Sequence, residues 1–232
     1  AEKDEILKAQ GLVSQGNTAE ASKLYLEMMG KYPDNRDAVQ GWLFINMKRS
    51  PTGEEEAIKQ LEELEKSYPG NSAILFFKTY LLTEYKRFDE AIVNAGKLTK
   101  MRPDDGLYWL MYGQILEFAG NDGDALIASE KATVLDSNNA DAWQNKAGLL
   151  AKTNKLDEAL VSYDKAIELA PAQPIFIYNR GCVYCRKGDK AKALADLGKA
   201  VSMNPQFKSY ASQDQDYKSL WDDEDFKKII AQ

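Results

Sequence analysis

The most reactive side chains in this sequence are two cysteines three positions apart, Cys182 and Cys185, in a chain that contains no histidine. A Cys-x-x-Cys pair is redox-active when its first sulfur lies at a helix N-terminus, where the helix dipole lowers the thiol pKa. This pair instead falls well inside a predicted helix. A structural zinc site needs further ligands, and no histidine can supply them. We therefore interpret both cysteines as small residues near a groove wall, and slow labelling of both thiols at neutral pH would exclude a redox role.

The other polar residues offer little for catalysis or for binding charged polymers. Without histidine, a catalyst would need Asp, Glu, Lys, Tyr or Cys arranged in a cleft. No paired carboxylates or glycine-rich phosphate loop are evident. The net charge is −6 and the basic residues are dispersed, which argues against a nucleic-acid groove. No apolar run approaches the ~20 residues of a membrane-spanning helix. We predict no catalytic residue, no cofactor, no metal, no nucleic-acid partner and no membrane span.

The clearest regularity in the chain is a periodic alanine. Alanine recurs first after 36 residues and then after every 34, at Ala21, Ala57, Ala91, Ala125, Ala159 and Ala193. Prolines keep nearly the same spacing, and Ser137 fills the one missing position: Pro33, Pro69, Pro103, Pro171 and Pro205. A stack of similar units requires such a period, because each unit must present the same small contact to its neighbour.

The segment from Ala140 to Pro171 shows what one unit contains. Apolar and small residues recur three or four apart over a first helix, a polar stretch at 152–155 follows, and a second helix ends at Pro171. Ala147 on the first helix and Ala159 on the second allow the two helices to approach closely. Gly16, Gly120 and Gly188 lie at the corresponding turns, where a left-handed residue commonly ends a helix. Each unit is therefore predicted to be a helical hairpin.

The units follow a common order of residues: a large residue, a small one, Tyr or Leu, Ala, an aromatic, Ala and a final Pro. This order resembles the tetratricopeptide repeat. The resemblance implies an all-α, right-handed superhelix (α-solenoid) of six helical hairpins over residues 1–207, followed by a C-terminal capping helix in 208–232. The predicted repeats are 2–35, 36–71, 72–105, 106–139, 140–173 and 174–207. A longer turn at 49–53 accounts for the one 36-residue step, and Ser129 replaces a typical aromatic, so the fourth repeat is expected to pack less tightly.

The segment from Phe207 to the C-terminus is too short for another repeat. It contains Tyr217, Trp221 and Phe226 among charged residues, and an acidic run at 222–225 suits the start of a helix. A helix that covers the open face of the sixth repeat is the favoured reading, since an uncapped array would expose its core. An acidic, aromatic tail that binds a partner is the alternative.

The resemblance also implies where a partner would bind, because in this family the first helix of each repeat lines a concave groove. The predicted groove residues are Phe44, Phe76, Phe77, Tyr80, Leu110, Met111, Gln114, Gln144, Asn145, Tyr178 and Asn179. Exposed aromatic and aliphatic side chains of this kind mark interaction sites. The alternative for several of them is packing between neighbouring first helices.

One known binding mode of the family does not match. Its chaperone-binding members hold a peptide carboxylate with Lys, Arg and Asn side chains, which must point into the groove. Asn145 and Asn179 fall where the middle Asn could lie, but Leu110, Gln114 and Gln144 around them carry no charge. The carboxylate clamp is absent, and a chaperone-tail-binding role is disfavoured.

The sequence thus predicts a non-enzymatic scaffold that binds a protein or peptide in the groove, with a co-chaperone-like or complex-assembly role. A self-associating structural protein is the second hypothesis, and solution mass at several concentrations separates the two. An enzyme is the third. The acidic runs at 54–56 and 62–65 are read as a solvated outer face rather than a site for a basic partner. Free thiols and the lack of a visible export signal favour the cytoplasm over an exported form whose signal was removed.

Overall fold

A computed structural model describes residues 1–47 and 53–231 of the chain. The chain forms two compact units, Ala1–Pro103 and Asp104–Gln232. Every regular element in the described ranges is a helix, as predicted. Within those ranges, no helix is both long and apolar enough to cross a membrane.

The first unit contains six helices, two in each of the first three predicted repeats. They are α1 (Glu2–Ser14), α2 (Thr18–Lys31), α3 (Arg36–Asn46), α4 (Gly53–Ser67), α5 (Ser72–Glu84) and α6 (Phe88–Met101). Helix α3 packs against α2 and α5, and α4 packs against α5. The long turn predicted at 49–53 lies outside the described residues, apart from Gly53 at the start of α4.

The second unit begins with six helices that again pair within the predicted repeats. They are α7 (Gly106–Phe118), α8 (Asp122–Leu135), α9 (Ala140–Lys152), α10 (Leu156–Leu169), α11 (Pro174–Lys187) and α12 (Lys190–Met203). The pairs α7–α8, α9–α10 and α11–α12 pack as helical hairpins. Each of these hairpins therefore consists of one first helix and one second helix.

The first helices begin at the same point of successive repeats because a side chain caps them. Asn35, Asn71, Asp105 and Asn139 each accept a hydrogen bond from a backbone N–H two or three residues later. Such a cap satisfies a donor that has no partner within the helix. The sixth repeat has Gln173 at this position without a side-chain cap, and Pro174 follows at the first helical turn. We number positions in each first helix from this N-cap residue.

The hairpin turns within the described residues each have one residue in the left-handed conformation. Gly16, Gly120 and Gly188 adopt φ values of 82°, 81° and 77°, which confirms the prediction for these turns. Lys86 and Asn154 hold the corresponding positions with φ values of 58° and 63°. The backbone geometry is therefore kept even where the sequence does not supply glycine.

The periodic alanines lie in the core. Ala21, Ala57, Ala91, Ala125, Ala159 and Ala193 are all buried. Ala147 and Ala159 pack in one cluster with Leu150 and Tyr163, as the close approach of α9 and α10 predicts. In the fourth repeat, Ser129 is fully buried, and its hydroxyl oxygen lies 2.9 Å from the Ala125 carbonyl oxygen and 2.5 Å from Asn145 Oδ1, two acceptors that share its one proton. A hydrogen-bonded serine thus occupies the place of the usual aromatic.

Three short elements follow the sixth repeat where one capping helix was predicted. They are α13 (Phe207–Ala211), a 3₁₀ helix (Gln215–Leu220) and α14 (Glu224–Ala231). The 3₁₀ helix packs against α11, and α13 and α14 pack against α12. Asp223 caps α14 and forms an ion pair with Lys190. We call residues 207–231 the C-terminal cover.

Candidate functional site

The predicted groove residues fall at three positions of the first helices. Counted from the N-cap residue, they lie at positions five, six and nine. Position nine is Phe44 in α3, Tyr80 in α5, Gln114 in α7, Gly148 in α9 and Cys182 in α11. Residues five and nine are one helical turn apart and share a face, so these positions form one strip on each helix.

In the first unit this strip is accessible and forms a cleft. The cleft has a volume of about 380 Å³ between α3 and α5. Helix α3 lines it with Gln40, Leu43, Phe44 and Met47, and α5 lines it with Phe77, Tyr80 and Leu81. The side chains of Phe44 and Tyr80 are 55% and 48% exposed. Three predicted groove residues are therefore brought together on one apolar surface.

A second cleft of about 430 Å³ lies between α1 and α3. Its lining is more polar, with Gln10, Val13 and Ser14 from α1, Tyr25 from α2, and Asp37, Gln40, Gly41 and Phe44 from α3. Gln40 and Phe44 line both clefts, so the two adjoin at these residues. We call the two clefts together the first-unit groove.

Gly41 shapes the floor of the α1–α3 cleft. A Cβ atom at this position would overlap the ring of Tyr25, which therefore packs directly on the helix backbone. Burial, and secondarily the negative charge of Asp37, raise the pKa of the Tyr25 hydroxyl. Tyr25 and Gly41 were not predicted as site residues. A glycine inside an otherwise apolar helix was the signal, because it commonly marks a close approach.

Phe76 lies beside the groove rather than in it. Its ring packs edge-on against Phe77 at 5.3 Å between centroids, and the Arg36 guanidinium lies 5.0 Å above it. The ring is half-buried. Much of its surface is therefore used inside the first unit.

Three of the predicted groove residues in the second unit are buried. Leu110 is 5% exposed and packs with Ala132 and Ala142. Asn145 is buried because Ser129 leaves room for it, and its amide donates to Glu117 Oε2 at 3.0 Å. Burial also raises the pKa of Glu117. Leu110, Asn145 and Tyr178 were predicted to line the groove, and they lie in the interior instead.

Tyr178 and Cys182 lie beneath the C-terminal cover. The Tyr178 ring stacks on Phe207 with 4.8 Å between centroids, and its hydroxyl donates to Asp214 Oδ2 at 2.8 Å. Cys182 Sγ donates to the same oxygen at 3.6 Å. The cover thus occupies the face of α11 that corresponds to the accessible strip of α3 and α5. The remaining predicted residues, Met111, Gln114, Gln144 and Asn179, are half-buried.

The two cysteines are poorly suited to thiol chemistry. Cys182, Asp214 and Asp216 place a sulfur and two carboxylate oxygens within 4.8 Å of one another. Burial and these two carboxylates raise the pKa of both thiols, that of Cys185 to about 12. The sulfur of Cys182 is a donor to Asp214, so the arrangement is a hydrogen-bonded network in the interior. A protonated, buried thiol is a weak nucleophile.

Family models match the C-terminal part of the repeat array. A TPR repeat model matches residues 149–188, and a tetratricopeptide repeat model matches residues 174–207. The second match coincides with the sixth predicted repeat, and the first begins inside the fifth. Together they cover α10, α11 and α12 and the last turn of α9.

Two curated proteins are similar over most of this chain. Cellulose synthase operon protein C of Escherichia coli K12 is 26% identical over 211 residues, 82% of this chain and 18% of its own length. The human protein O-mannosyl-transferase TMTC3 is 26% identical over 192 residues, 77% of this chain and 21% of its own length. The chain therefore spans about a fifth of the length of these relatives.

Solved structures share the fold. Pseudomonas aeruginosa PilF superposes with a TM-score of 0.68 at 17% identity, over 94% of this chain and 96% of its own. YrrB, described as a TPR protein with an unusual peptide-binding site, gives 0.61 at 20% identity, over 82% and 97%. At these identities the likeness establishes the helical-repeat architecture.

Proposed function

We propose that this chain, whose residues 149–207 match tetratricopeptide-repeat models, is a non-enzymatic scaffold that binds a protein or peptide segment in the first-unit groove. Repeats of this kind serve as protein-interaction scaffolds, and the similar structure YrrB is described as having a peptide-binding site. By holding this segment, the protein would act in complex assembly or in a co-chaperone-like role. Fold alone does not fix function, so the proposal rests on the groove.

The observation that carries the proposal is the pair of exposed aromatic side chains in the α3–α5 cleft. Phe44 and Tyr80 are both accessible, and Phe77, Met47 and Leu81 lie between and beside them. An apolar depression with a few polar groups at one side is the usual form of a ligand site. Aromatic residues and Met are enriched where proteins bind one another. A leucine-sized or aromatic side chain of the partner would bury against both rings.

The half-buried residues of the second unit remain proposed contacts. Met111, Gln114, Gln144 and Asn179 lie on first helices and keep part of their surface accessible. The amides of Gln114, Gln144 and Asn179 suit hydrogen bonds to a peptide backbone, and the Met111 thioether suits an apolar contact. No catalytic role is proposed for any of them.

Selection from a random-peptide display library tests the proposal. Peptides are selected on the wild-type protein alone, and their binding to the Phe44→Asp/Tyr80→Asp variant is measured afterwards. We expect the selected peptides to lose about tenfold to a hundredfold in affinity on Tyr80→Ala, the range of a binding hot spot. Tyr210→Ala is the matched control, because Tyr210 is a tyrosine 55% exposed on α13. Equal losses for Tyr80→Ala and Tyr210→Ala would reject the groove as the binding site.

Self-association is a second candidate, favoured by a different surface. Ile127 on α8 and Val161 on α10 are exposed and 34 residues apart, at the same position of successive second helices. Val134 on α8 is also exposed. Apolar side chains repeated on an outer face can bury against a second copy. A mass in solution that rises with concentration, and that Ile127→Lys/Val161→Lys returns to the monomer value, would support this candidate.

A further inference from the structure

We propose that the segment bound in the first-unit groove carries a lysine or arginine next to its apolar anchor. This inference rests on the proposed function and specifies its ligand. The anchor fills the α3–α5 cleft, and the positively charged side chain fills the α1–α3 cleft. The first-unit groove thus has an apolar half and an acidic half.

The geometry allows one short segment to reach both clefts. Gln40 and Phe44 line both of them, so the second cleft begins where the first ends. A volume of about 430 Å³ lies within the range of ligand pockets. Gly41 and the Tyr25 ring that packs on its backbone both line this volume.

The charge of the α1–α3 cleft selects a cation. Asp37 is its one charged lining residue, and the other polar ones are neutral amides and hydroxyls. Within residues 1–47 and 53–231, the ion pairs do not include Asp37. A bound anion would meet this carboxylate without a compensating cation, whereas Lys or Arg would form a charge-assisted hydrogen bond with it.

The apolar part of the cleft suits the rest of such a side chain. Val13 and the ring of Phe44 form walls along which the methylene stem of Lys or Arg can pack. The face of the Phe44 ring also attracts a cation. The Tyr25 hydroxyl, kept protonated by burial and by Asp37, is available as a further hydrogen-bonding group.

The neighbouring charged side chains do not cancel the negative charge that Asp37 gives to the α1–α3 cleft. Asp37 also lines the adjacent cleft beside α1, together with Glu2 and Lys3. Lys31 is paired with Glu5, so its charge is already neutralised. Among the lining residues of these two clefts, the cation Lys3 is accompanied by two carboxylates, Glu2 and Asp37.

Asp37 also has a structural role in α3, and the test must distinguish this role from binding the peptide. It lies in the first turn of α3, where a carboxylate stabilises the helix through its dipole. Asp141 holds the same place in α9 and is exposed. Asp141→Asn is therefore a matched control for Asp37→Asn, since it removes the same helix effect outside the first-unit groove.

The experiment repeats the random-peptide selection on wild type and on Asp37→Lys. We expect Lys and Arg to be enriched beside aromatic or aliphatic residues on wild type, and Asp and Glu to replace them on Asp37→Lys. A fluorescein-labelled wild-type-selected peptide should bind about tenfold more weakly to Asp37→Asn and unchanged to Asp141→Asn. Its affinity should also fall as salt rises, because the pair is screened.

Two results overturn the inference, and they differ. Peptides that depend on Phe44 and Tyr80 but show no charge preference on either protein would reject the cation and leave the proposed function standing. Peptides insensitive to the Phe44→Asp/Tyr80→Asp variant would reject the first-unit groove as the site, and this inference with it.

Discussion

Position nine of the first helices is exposed in the first unit and becomes buried at the end of the second. In the first unit it is Phe44 and Tyr80, both about half exposed and lining a cleft. In the second unit Gln114 and Gly148 are half-buried at this position, and Cys182 in α11 is 7% exposed. Phe44, Tyr80 and Cys182 hold the same place in their first helices, so the repeat position itself does not decide whether a side chain meets solvent.

The exposure of this strip depends on which side chains pack against it. The C-terminal cover contributes Phe207, Asp214 and Tyr217 to the face of α11, and these bury Tyr178 and Cys182. Tyr217 is fully buried, and a Cβ at Gly181 would overlap its hydroxyl. The comparison teaches that the same strip is left accessible or is used for packing, according to which segment of the chain lies against it.

Removing the cover's central side chain should have the largest effect. Tyr217→Ala is expected to lower the free energy of unfolding by about 3–5 kcal/mol, because a large buried ring is replaced by a cavity. Tyr80→Ala should change it by less than about 0.5 kcal/mol, as for an exposed residue. Urea denaturation measures both.

Thiol labelling completes this test. Cys182 and Cys185 should react slowly with a thiol reagent in wild type and faster in Tyr217→Ala. If Tyr217→Ala does not fold, Tyr217→Phe keeps the ring and loses only the hydrogen bond to the Tyr178 carbonyl. Equal stability losses from Tyr217→Ala and Tyr80→Ala would contradict the contrast between the units.

Alkaline pH should destabilise the second unit before the first. Burial raises the pKa of Tyr163, Tyr178 and Tyr217 and of both thiols, that of Cys185 from 9.0 to about 12. These groups stay protonated in the folded state while the unfolded chain loses protons. Stability is therefore complete below pH 9, the ordinary thiol value, and falls as pH rises toward 12.

Hydrogen exchange by mass spectrometry between pH 8 and 11, corrected for intrinsic rates, locates the loss. We expect peptides of α11 and the cover to lose protection earlier than those of α3 and α5. In Cys182→Ala/Cys185→Ala the onset should move toward pH 10, the ordinary tyrosine value. An onset below pH 8 would point to other groups.

The sequence was sufficient for the regular part of the fold. The alanine and proline period predicted the helices two by two, and the periodic alanines are buried as expected. Gly16, Gly120 and Gly188 were predicted at the turns for the correct reason. These features are local or repeated, so a single chain displays them several times.

The site could be predicted only in part, because exposure depends on contacts that do not repeat. Phe44, Phe77 and Tyr80 were predicted and meet in one cleft. Asn145 is buried by an exchange peculiar to the fourth repeat, where Ser129 leaves space for its amide. Tyr178 is buried by a cover that resembles no repeat. Asp37 escaped notice since its place at a helix start has a sufficient structural explanation.

Core positions should behave alike in both units, unlike position nine. Ala91 in α6 and Ala159 in α10 are both fully buried at the same repeat position. Ala91→Leu and Ala159→Leu should each cost about 1–3 kcal/mol through overpacking of the hairpin. Thermal melts check both, and an unchanged Tm for either variant would show that its helix pairing is misassigned.

The smallest expected effect concerns the hairpin turns. Lys86 in the first unit and Asn154 in the second adopt the left-handed conformation that glycine holds at the other turns. Lys86→Gly should stabilise the protein by about 1 kcal/mol, because a residue with a Cβ is strained there. Asn154→Gly should gain less, since asparagine tolerates this region of backbone space.

Gly188→Ala gives the reverse change as a control and should lose stability of similar size. Urea denaturation of the three variants gives the order of their free energies of unfolding. A larger gain at Asn154 than at Lys86 would mean that side-chain contacts, rather than backbone strain, set the energy of these turns. The turns would then differ between the units for the same reason as position nine, through their neighbours rather than through the repeat.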